Sequence, residues 1–328
     1  MEKRHHYVPR FYLSYFAAPT HSGGPPVVWV YDKDRREPRA QQPKDTAVIG
    51  RLYTIQTTDG DKELTIEQIL ANLESRVKPI LDRWQKPQAK PEAREIPIIA
   101  DFLSTLHGRV PRAMEMAEEL GRAFLLAKLK HLAQDPEPLK QLWEDMRRNR
   151  RPPEGFTFEM FRESLMEFEQ RFKLSLNPTV RMGLGLLQAK RMFPELLEMT
   201  WCLCRAPSDS FFITSDAPVN VFVPRGPKAL FGAGYGLEAV EIGFAVSPQV
   251  CLYLRRRQGQ LRRRASRAFV TEMNRRTACM AERFVFSHLK SRATNTLVTS
   301  FSFTRELPKV NREDIERRMR ARDKVGEA

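Results

Sequence analysis

The chain has 328 residues, enough for one large domain or two smaller ones, and its 41% hydrophobic and 29% charged residues are ordinary for a globular protein. No apolar stretch approaches the roughly 20 residues of a membrane helix, and no signal-peptide segment follows the first basic residues, which argues against membrane insertion and secretion. Four scattered cysteines do not make a disulfide framework. We therefore expect a cytoplasmic protein.

Basic residues are in excess and are concentrated in one segment. Lys and Arg total 55 against 40 acidic residues, a formal charge of +15. Between Leu252 and Arg292 there are 12 basic and 2 acidic residues, a net charge of +10. Such a localised excess is the electrostatic footprint of a protein that meets a polyanion. The alternative is a solvated basic face that has no partner.

The beginning of the chain predicts short elements, and the middle predicts helices. Residues 11–16 suit a short helix with Pro9 near its first turn. Apolar residues over 66–84 recur at helical spacing, and Pro79 is expected to kink that helix. Pro194 should end or bend a later one. Short strands are predicted at 27–31 and 52–55, and further helices at 98–106, 112–132 and 178–199.

After Trp201 the sequence pattern changes to short apolar segments separated by turn-forming residues. This order predicts an α+β protein with short N-terminal strands, a central mostly helical block at about 65–200, and a β-rich C-terminal part that ends in a charged helix. We expect residues 1–308 to form one domain and 309–328 a charged tail. Strands are predicted at 201–205, 211–214, 219–223, 240–246, 250–254, 284–287 and 297–303.

The first conspicuous motif is the run HHYVPRFYL at residues 5–13. Dense aromatic and branched residues predict that this segment is buried, although free N-termini usually fray. Side chains that neighbour one another in extended backbone point to opposite faces, so at most one of His5 and His6 should face the interior. That imidazole would be a general base, a metal ligand or a phosphate contact, or else a histidine satisfied within the core.

The second motif follows an apolar helix, where a glycine and a proline interrupt the segment LHGRVPR at residues 106–112. Arg109 and Arg112 at such a break could present their guanidinium groups to a phosphate or a carboxylate. The alternative is a group of cations that compensates the helix dipole and binds nothing.

The third motif is FFITSDAPV at residues 211–219, in which an apolar strand stops at Asp216. A carboxylate held rigidly at a strand end is suited to metal ligation or to general-base catalysis. Asp also favours turns by bonding to its own backbone, which is the alternative. Cys202 and Cys204 have the wrong spacing for a zinc site and are predicted to lie on two faces of a strand.

Two arginine triplets flank a Gln-Gly-Gln segment, and we expect them to lie near the tip of a β-hairpin. Phosphate contacts from such a tip would bind nucleic acid with little sequence preference and strong salt dependence. The alternative is a solvated basic hairpin. The predicted nucleic-acid-binding residues are Arg255, Arg256, Arg257, Arg262, Arg263 and Arg264.

These motifs and their order resemble the DUF4238 family, a bacterial domain of unknown function. The run at 5–13, the helix end at 107–111 and the strand-turn at 211–219 match the family pattern, and the segment GFAVSP at 243–248 is similar to another family segment. His107 stands where the family has Gln, and Ala245-Val246 where it has Pro-Leu. The resemblance implies no mechanism, and it implies a bacterial, defence-related context.

If the three motifs meet in space, the sequence predicts a nuclease-like hydrolase that binds nucleic acid. His5 or His6 would act as base or ligand, Asp216 as ligand or base, and Arg109 as charge stabiliser. A divalent metal is the candidate cofactor. The competing hypothesis is a non-enzymatic nucleic-acid- or protein-binding module, in which the motifs only fasten the N-terminus to the core.

Overall fold

The computed structural model describes residues 4–20, 23–50, 64–150, 152–172, 176–224, 235–257, 259 and 261–301. The predicted strand at 52–55 and the predicted charged tail at 309–328 lie outside these residues. N-terminal strands, a central helical block and a C-terminal sheet with helices give the predicted α+β class.

The N-terminal part contains four short strands and one short helix. Pro9 precedes the helix, where its missing N–H group costs nothing. The first strand pairs antiparallel with the fourth, so the start of the chain is held in a two-stranded ribbon. The elements are β1 (Arg4–His6), α1 (Arg10–Ser14), β2 (Val28–Asp32), β3 (Arg39–Gln41), a 3-10 turn (Pro43–Asp45) and β4 (Val48–Gly50).

The central block is helical, and prolines mark several of its boundaries. The predicted helix at 178–199 is split in two, because Pro194 cannot donate to the carbonyl four residues earlier and its ring collides with it; the first half therefore ends at Lys190. The helices are α2 (Leu64–Trp84), α3 (Ile96–Gly108), α4 (Pro111–Gln134), α5 (Pro136–Asn149), α6 (Phe158–Met166), α7 (Phe168–Arg171), α8 (Pro178–Lys190) and α9 (Met192–Leu197).

The C-terminal part supplies most of two sheets. A five-stranded sheet has the order β10-β5-β9-β8-β7, and a four-stranded sheet has the order β3-β2-β11-β6, so the second sheet joins strands from both ends of the chain. The elements are β5 (Thr200–Arg205), β6 (Thr214–Ser215), β7 (Val219–Phe222), β8 (Glu241–Ser247), β9 (Val250–Arg255), β10 (Arg262–Arg264), α10 (Arg267–Met280), β11 (Phe284–Ser287) and α11 (Arg292–Thr299).

Four local expectations are wrong in whole or in part. Of the predicted strand at 211–214, only Thr214 lies in a strand, β6. The arginine triplets form no β9–β10 hairpin, because β10 pairs in parallel with β5, which separates it from β9. The predicted strand at 297–303 begins inside helix α11, whose first turn is capped by the hydroxyl of Ser291. Cys202 and Cys204 lie on one face of β5, since side chains two positions apart in a strand share a face.

The main core fastens the first motif to the third. Tyr12 is fully buried, and its hydroxyl group bonds to Thr214 Oγ1 at 2.7 Å and donates to the Ala245 carbonyl at 2.6 Å. Its ring stacks on Phe244 at a centroid distance of 4.9 Å. The N-terminal run is therefore an integral part of the core, as its aromatic composition predicts.

Candidate active site where three motifs meet

The two histidines of the first motif alternate across strand β1. His5 pairs in register with Ile49 and is 4% exposed, whereas His6 is only partly buried. His5 Nε2 lies 2.7 Å from Glu67 Oε1 on helix α2. The expectation that one imidazole faces the interior is met by His5, and its carboxylate partner fastens β1 to α2.

His6 lies beside a second carboxylate of the same helix. Burial lowers the pKa of His6, while hydrogen bonds to the backbone of Pro43 and Lys44 and the charge of Glu74 oppose that shift. Glu74 follows Glu67 by seven residues, which places both carboxylates on one face of α2. The neutral imidazole is therefore favoured near pH 7.

Arg109 reaches the same carboxylate from the end of α3. It is 2% exposed, and its Nη1 donates to Glu74 Oε1 at 2.9 Å. Its Nε and Nη2 are buried, and no hydrogen-bond acceptor contacts them in the described parts of the chain. We call His6, Glu74 and Arg109 the Glu74 cluster. A buried guanidinium with two unused donors is suited to receiving an anion.

Asp216 is buried at the strand-turn and is held by backbone donors. Its Oδ1 accepts from the N–H of Glu282 at 2.8 Å, and its Oδ2 accepts from the N–H groups of Arg283 and Phe284 at 2.7 Å each. Burial raises the pKa of Asp216, and these three donors oppose the rise. Both oxygens are thus used to fix the start of β11.

Glu282 is the titratable group at the centre of this region. Its carboxylate accepts from the backbone N–H of Arg112, in the first turn of α4. Burial, then the charges of Asp216 and Glu115, raise the pKa of Glu282 to about 7, although Arg112 opposes them. A carboxyl group with this pKa exchanges its proton near neutral pH.

Tyr7 and Lys33 complete the surroundings of Glu282. Burial and the charges of Asp216 and Glu282 raise the pKa of Tyr7. Lys33 Nζ donates to the Ala281 carbonyl at 2.5 Å, and burial lowers the pKa of Lys33 against the pull of the same two carboxylates. We call the following residues the Glu282 cluster: Tyr7, Lys33, Arg112, Glu115, Asp216 and Glu282.

The three motifs therefore meet, but partly through residues that the sequence did not single out. Tyr7 comes from the first motif, Arg112 from the second and Asp216 from the third. Glu74 and Glu282 were missed. Glu282 lies two positions before the apolar strand β11, and this position is a weak local signal.

The six predicted nucleic-acid-binding arginines have different surroundings. Arg256 forms ion pairs with Glu195 in α9 and with Glu198 just after it. The guanidinium carbon of Arg263 lies 4.2 Å from the ring centroid of Phe269. Arg255 is partly buried. The exposed members of the set are Arg257, Arg262 and Arg264.

Neither cluster forms a set of metal ligands: the described residues contain no group of three or more His, Cys, Asp or Glu side chains arranged to hold a metal ion. No helix among them is long and apolar enough to cross a membrane. What the two clusters offer chemically is proton exchange at Glu282 and anion contact at Arg109.

The fold and these clusters define an α+β protein with acid–base and cationic groups gathered around its N-terminal strand. Comparison with known families gives a match to the family described as "Protein of unknown function (DUF4238)" over residues 4–291. The chain belongs to the DUF4238 family, as its motifs indicate. No curated protein and no solved structure matches it.

Proposed function

We propose that this protein binds nucleic acid and hydrolyses a phosphodiester bond at the Glu282 cluster. The observation that carries the proposal is the meeting of three separated segments at Glu282, a carboxyl group with a pKa of about 7. Enzymes tune the pKa of a general base to the operating pH, because the base must be deprotonated before the reaction and basic enough to accept a proton during it.

Glu282 is a better candidate than Asp216 for the proton transfer. Three backbone N–H groups already occupy three of the roughly four lone-pair sites of the Asp216 carboxylate, which leaves it little capacity for a proton or a metal ion. In the proposed reaction Glu282 accepts a proton from the attacking water. Asp216 is then a positioning residue, which holds the backbone of Glu282 and raises its pKa.

Two arginines support a phosphate-containing substrate. Arg109 carries two buried donors without an acceptor in the described chain, and Arg112 lies beside Glu282. A phosphodiester gains negative charge on its oxygens in the transition state, and guanidinium groups stabilise such charge with directed hydrogen bonds. Glu74, which accepts from Arg109 Nη1, would orient Arg109.

Three exposed arginines, two on β10 at the edge of the five-stranded sheet and one just after β9, support the binding of a polymer. They lie on a different sheet from Asp216 and β11, so a substrate that used both would have to be extended. Contacts to phosphate groups release counterions and make binding weaken as salt rises. The members are Arg257, Arg262 and Arg264.

Cleavage of labelled single- and double-stranded DNA and RNA, with Mg²⁺, with Mn²⁺ and with EDTA, tests the catalytic part. We expect Glu282→Gln to lower the initial rate by about 100-fold or more, the usual contribution of a positioned general base. Glu154→Gln, at an exposed site, is the matched control. A wild-type protein inert on every substrate, or a Glu282→Gln protein as active as the control, would overturn the assignment.

Mobility-shift titrations over a range of salt test the binding part. Changing Arg257, Arg262 and Arg264 together to Gln should weaken binding and reduce the slope of log K against log salt by about 1 for each phosphate group that the variant no longer neutralises. The matched control changes three other exposed arginines to Gln: Arg94, Arg147 and Arg148. Equal weakening in the two triple variants would show that only net charge matters.

A second candidate function is a non-enzymatic binding module, and the geometry of the motif residues favours it in one respect. Tyr12, His5 and Asp216 all make contacts that fasten segments of the fold together. Under this alternative, Glu282→Gln leaves nucleic-acid binding unchanged, and no cleavage is seen under any condition.

A further inference from the structure

A pair of thiols lies on strand β5, away from both clusters. Cys204 Sγ is 3.8 Å from Cys202 Sγ and is oriented to donate its S–H to it. Cys204 is fully buried, while Cys202 is 7% exposed. Strand β5 lies inside the five-stranded sheet, where β9 pairs with both positions and β10 pairs with Cys204.

Cys202 borders an open cavity of about 210 Å³, whereas Cys204 lies behind it and does not line the cavity. This volume admits water-sized molecules and small reagents. The cavity is lined by Thr200, Cys202, Tyr253, Arg255, Gly259 and Arg263.

Two guanidinium groups face the sulfur atoms. Arg263 Nε donates to Cys204 Sγ at 3.1 Å, and its guanidinium carbon lies 4.2 Å from the Phe269 ring centroid and 5.4 Å from that of Tyr253. The two rings hold Arg263 in place. Arg255 enters the cavity from β9 and acts on Cys202 through its charge.

The cationic surroundings favour a thiolate at Cys202. The hydrogen bond from Cys204 lowers the pKa of Cys202 to about 7, and the charges of Arg263 and Arg255 contribute in the same direction against burial. The pKa of Cys204 is raised, first by its bond to Cys202 and then by burial. The remaining ionisable groups that face the pair are Cys251 and Tyr253 of β9, with Glu241 of β8 bonded to Tyr253.

We propose that Cys202 is a reactive thiolate that reduces small hydroperoxides in this cavity, with Cys204 as its positioning residue. The thiolate attacks the outer oxygen of the hydroperoxide; an S–O bond forms and the O–O bond breaks. The sulfur loses two electrons to the peroxide, and the departing alkoxide or hydroxide takes a proton from solvent. The products are a sulfenic acid at Cys202 and an alcohol or water.

The class of oxidant follows from the geometry. The cavity of about 210 Å³ beside Cys202 has room for hydrogen peroxide, and the 7% exposed fraction of Cys202 favours small oxidants over large ones. The two arginines stabilise both the thiolate and the anion that leaves from the peroxide. Cys204, 3.8 Å away, can then attack the sulfenic sulfur; an S–S bond forms, the S–O bond breaks and water leaves.

Peptide mass mapping of the full-length protein after hydrogen peroxide and dimedone tests this proposal. We expect a dimedone adduct at Cys202, or a Cys202–Cys204 disulfide, before any change at Cys279, which is partly exposed and serves as the internal control. Cys202→Ser should abolish both products. Modification of Cys279 first, or an unmodified Cys202 in the folded protein, would overturn the proposal.

The pH dependence of iodoacetamide alkylation separates the role of Cys204 from mere packing. Cys204→Ala removes the hydrogen-bond donor and should lower the alkylation rate of Cys202 at pH 7 by about fivefold, the fall in thiolate fraction when a pKa of about 7 rises by about one unit. Cys204→Ser keeps a donor and should restore most of the rate. Circular dichroism confirms folding of both variants, and equal rates in the two would refute the positioning role.

Discussion

A carboxylate lies near the start of each of the helices α3 and α4, buried at Glu95 and partly buried at Glu282, and the two carboxylates behave in opposite ways. At α3, burial alone would raise the pKa of Glu95, but hydrogen bonds from Arg83 and Trp84 outweigh it and the pKa ends below its ordinary value. At α4, burial and neighbouring carboxylates raise the pKa of Glu282 to about 7. Each carboxylate also accepts one backbone N–H group, from Glu92 and from Arg112 respectively.

The difference lies in the side-chain partner of each carboxylate. Glu95 receives the planar guanidinium of Arg83 directly, through Nε at 2.7 Å and through Nη2. Glu282 accepts the backbone N–H of Arg112 and is influenced by the charge of that arginine, while Asp216 adds a negative charge beside it. A helix N-terminus by itself therefore does not keep a buried carboxyl group ionised. One carboxylate is suited to structure, and the other to proton exchange.

The largest expected effect comes from removing the anchor of the Glu282 segment. Asp216→Ala leaves three backbone N–H groups without their acceptor, and should lower the free energy of unfolding by about 4 kcal/mol, at roughly 1–3 kcal/mol for each unsatisfied donor. Urea unfolding measures the loss. Asp209→Ala, at an exposed aspartate, is the control. A loss below about 1 kcal/mol would mean that water replaces the carboxylate without cost.

The next largest effect tests the other side of the comparison. Glu95→Ala removes a carboxylate that is 5% exposed and leaves Arg83 without its main partner, so we expect a loss of about 3 kcal/mol in the free energy of unfolding. Chemical denaturation against the exposed Glu154→Ala variant measures it. If the two variants were equally stable, the ion pair at α3 would contribute nothing to the fold.

A smaller, pH-dependent effect is expected at Glu282. The folded pKa of Glu282 is about 7 and lies above its unfolded value, so the native state resists ionisation of this carboxyl. The contribution of Glu282 to the free energy of unfolding is therefore fully present at low pH, and it is lost as pH rises from about 4.5 to about 7. Glu282→Gln should abolish this pH-dependent loss of stability, because glutamine does not ionise. The variant should gain about 1–2 kcal/mol relative to wild type between pH 5 and pH 8, allowing for solvent screening.

Thermal or urea unfolding at those two pH values measures the gain, with Glu154→Gln as the control. A difference between wild type and Glu282→Gln that does not change with pH contradicts the raised pKa and, with it, the assignment of Glu282 as a base.

The smallest effect concerns the arginine at α4. Arg112→Gln removes a positive charge that favours ionisation of Glu282 and should raise the pKa of that carboxyl by less than about one unit, since the pair is partly solvated. Carbon-detected NMR titration of the labelled Glu282 carboxyl measures the shift. A fall in this pKa would mean that Arg112 does not act on Glu282.

Local sequence patterns predicted the features that depend on neighbouring residues alone. The helical spacing over 66–84 identified α2, and the alternation of neighbouring side chains separated His5 from His6. Side chains two positions apart in a strand share a face, so the same alternation already places Cys202 and Cys204 together. The prediction that they lie on two faces of β5 is therefore wrong for a local reason.

Non-local partners could not be predicted in this way. Nothing near Arg262–Arg264 indicates that β5, some sixty positions earlier, is its partner strand. Glu282 stands within a basic segment and looks like an ordinary charge there; its pKa depends on Asp216 and Glu115, which only the fold brings near. The anchoring role of Asp216 likewise depends on donors from the start of β11.

The four-stranded sheet has a consequence for synthesis on the ribosome. Strand β2 lies between β3 and β11, and the Tyr31 hydroxyl donates to the Leu289 carbonyl, 258 positions along the chain. During translation one edge of β2 therefore stays unpaired until β11, near the end of the described chain, has been synthesised. Such long-range pairing slows folding and leaves an open strand edge that can aggregate. The nascent chain thus has a built-in need for protection until β11 arrives.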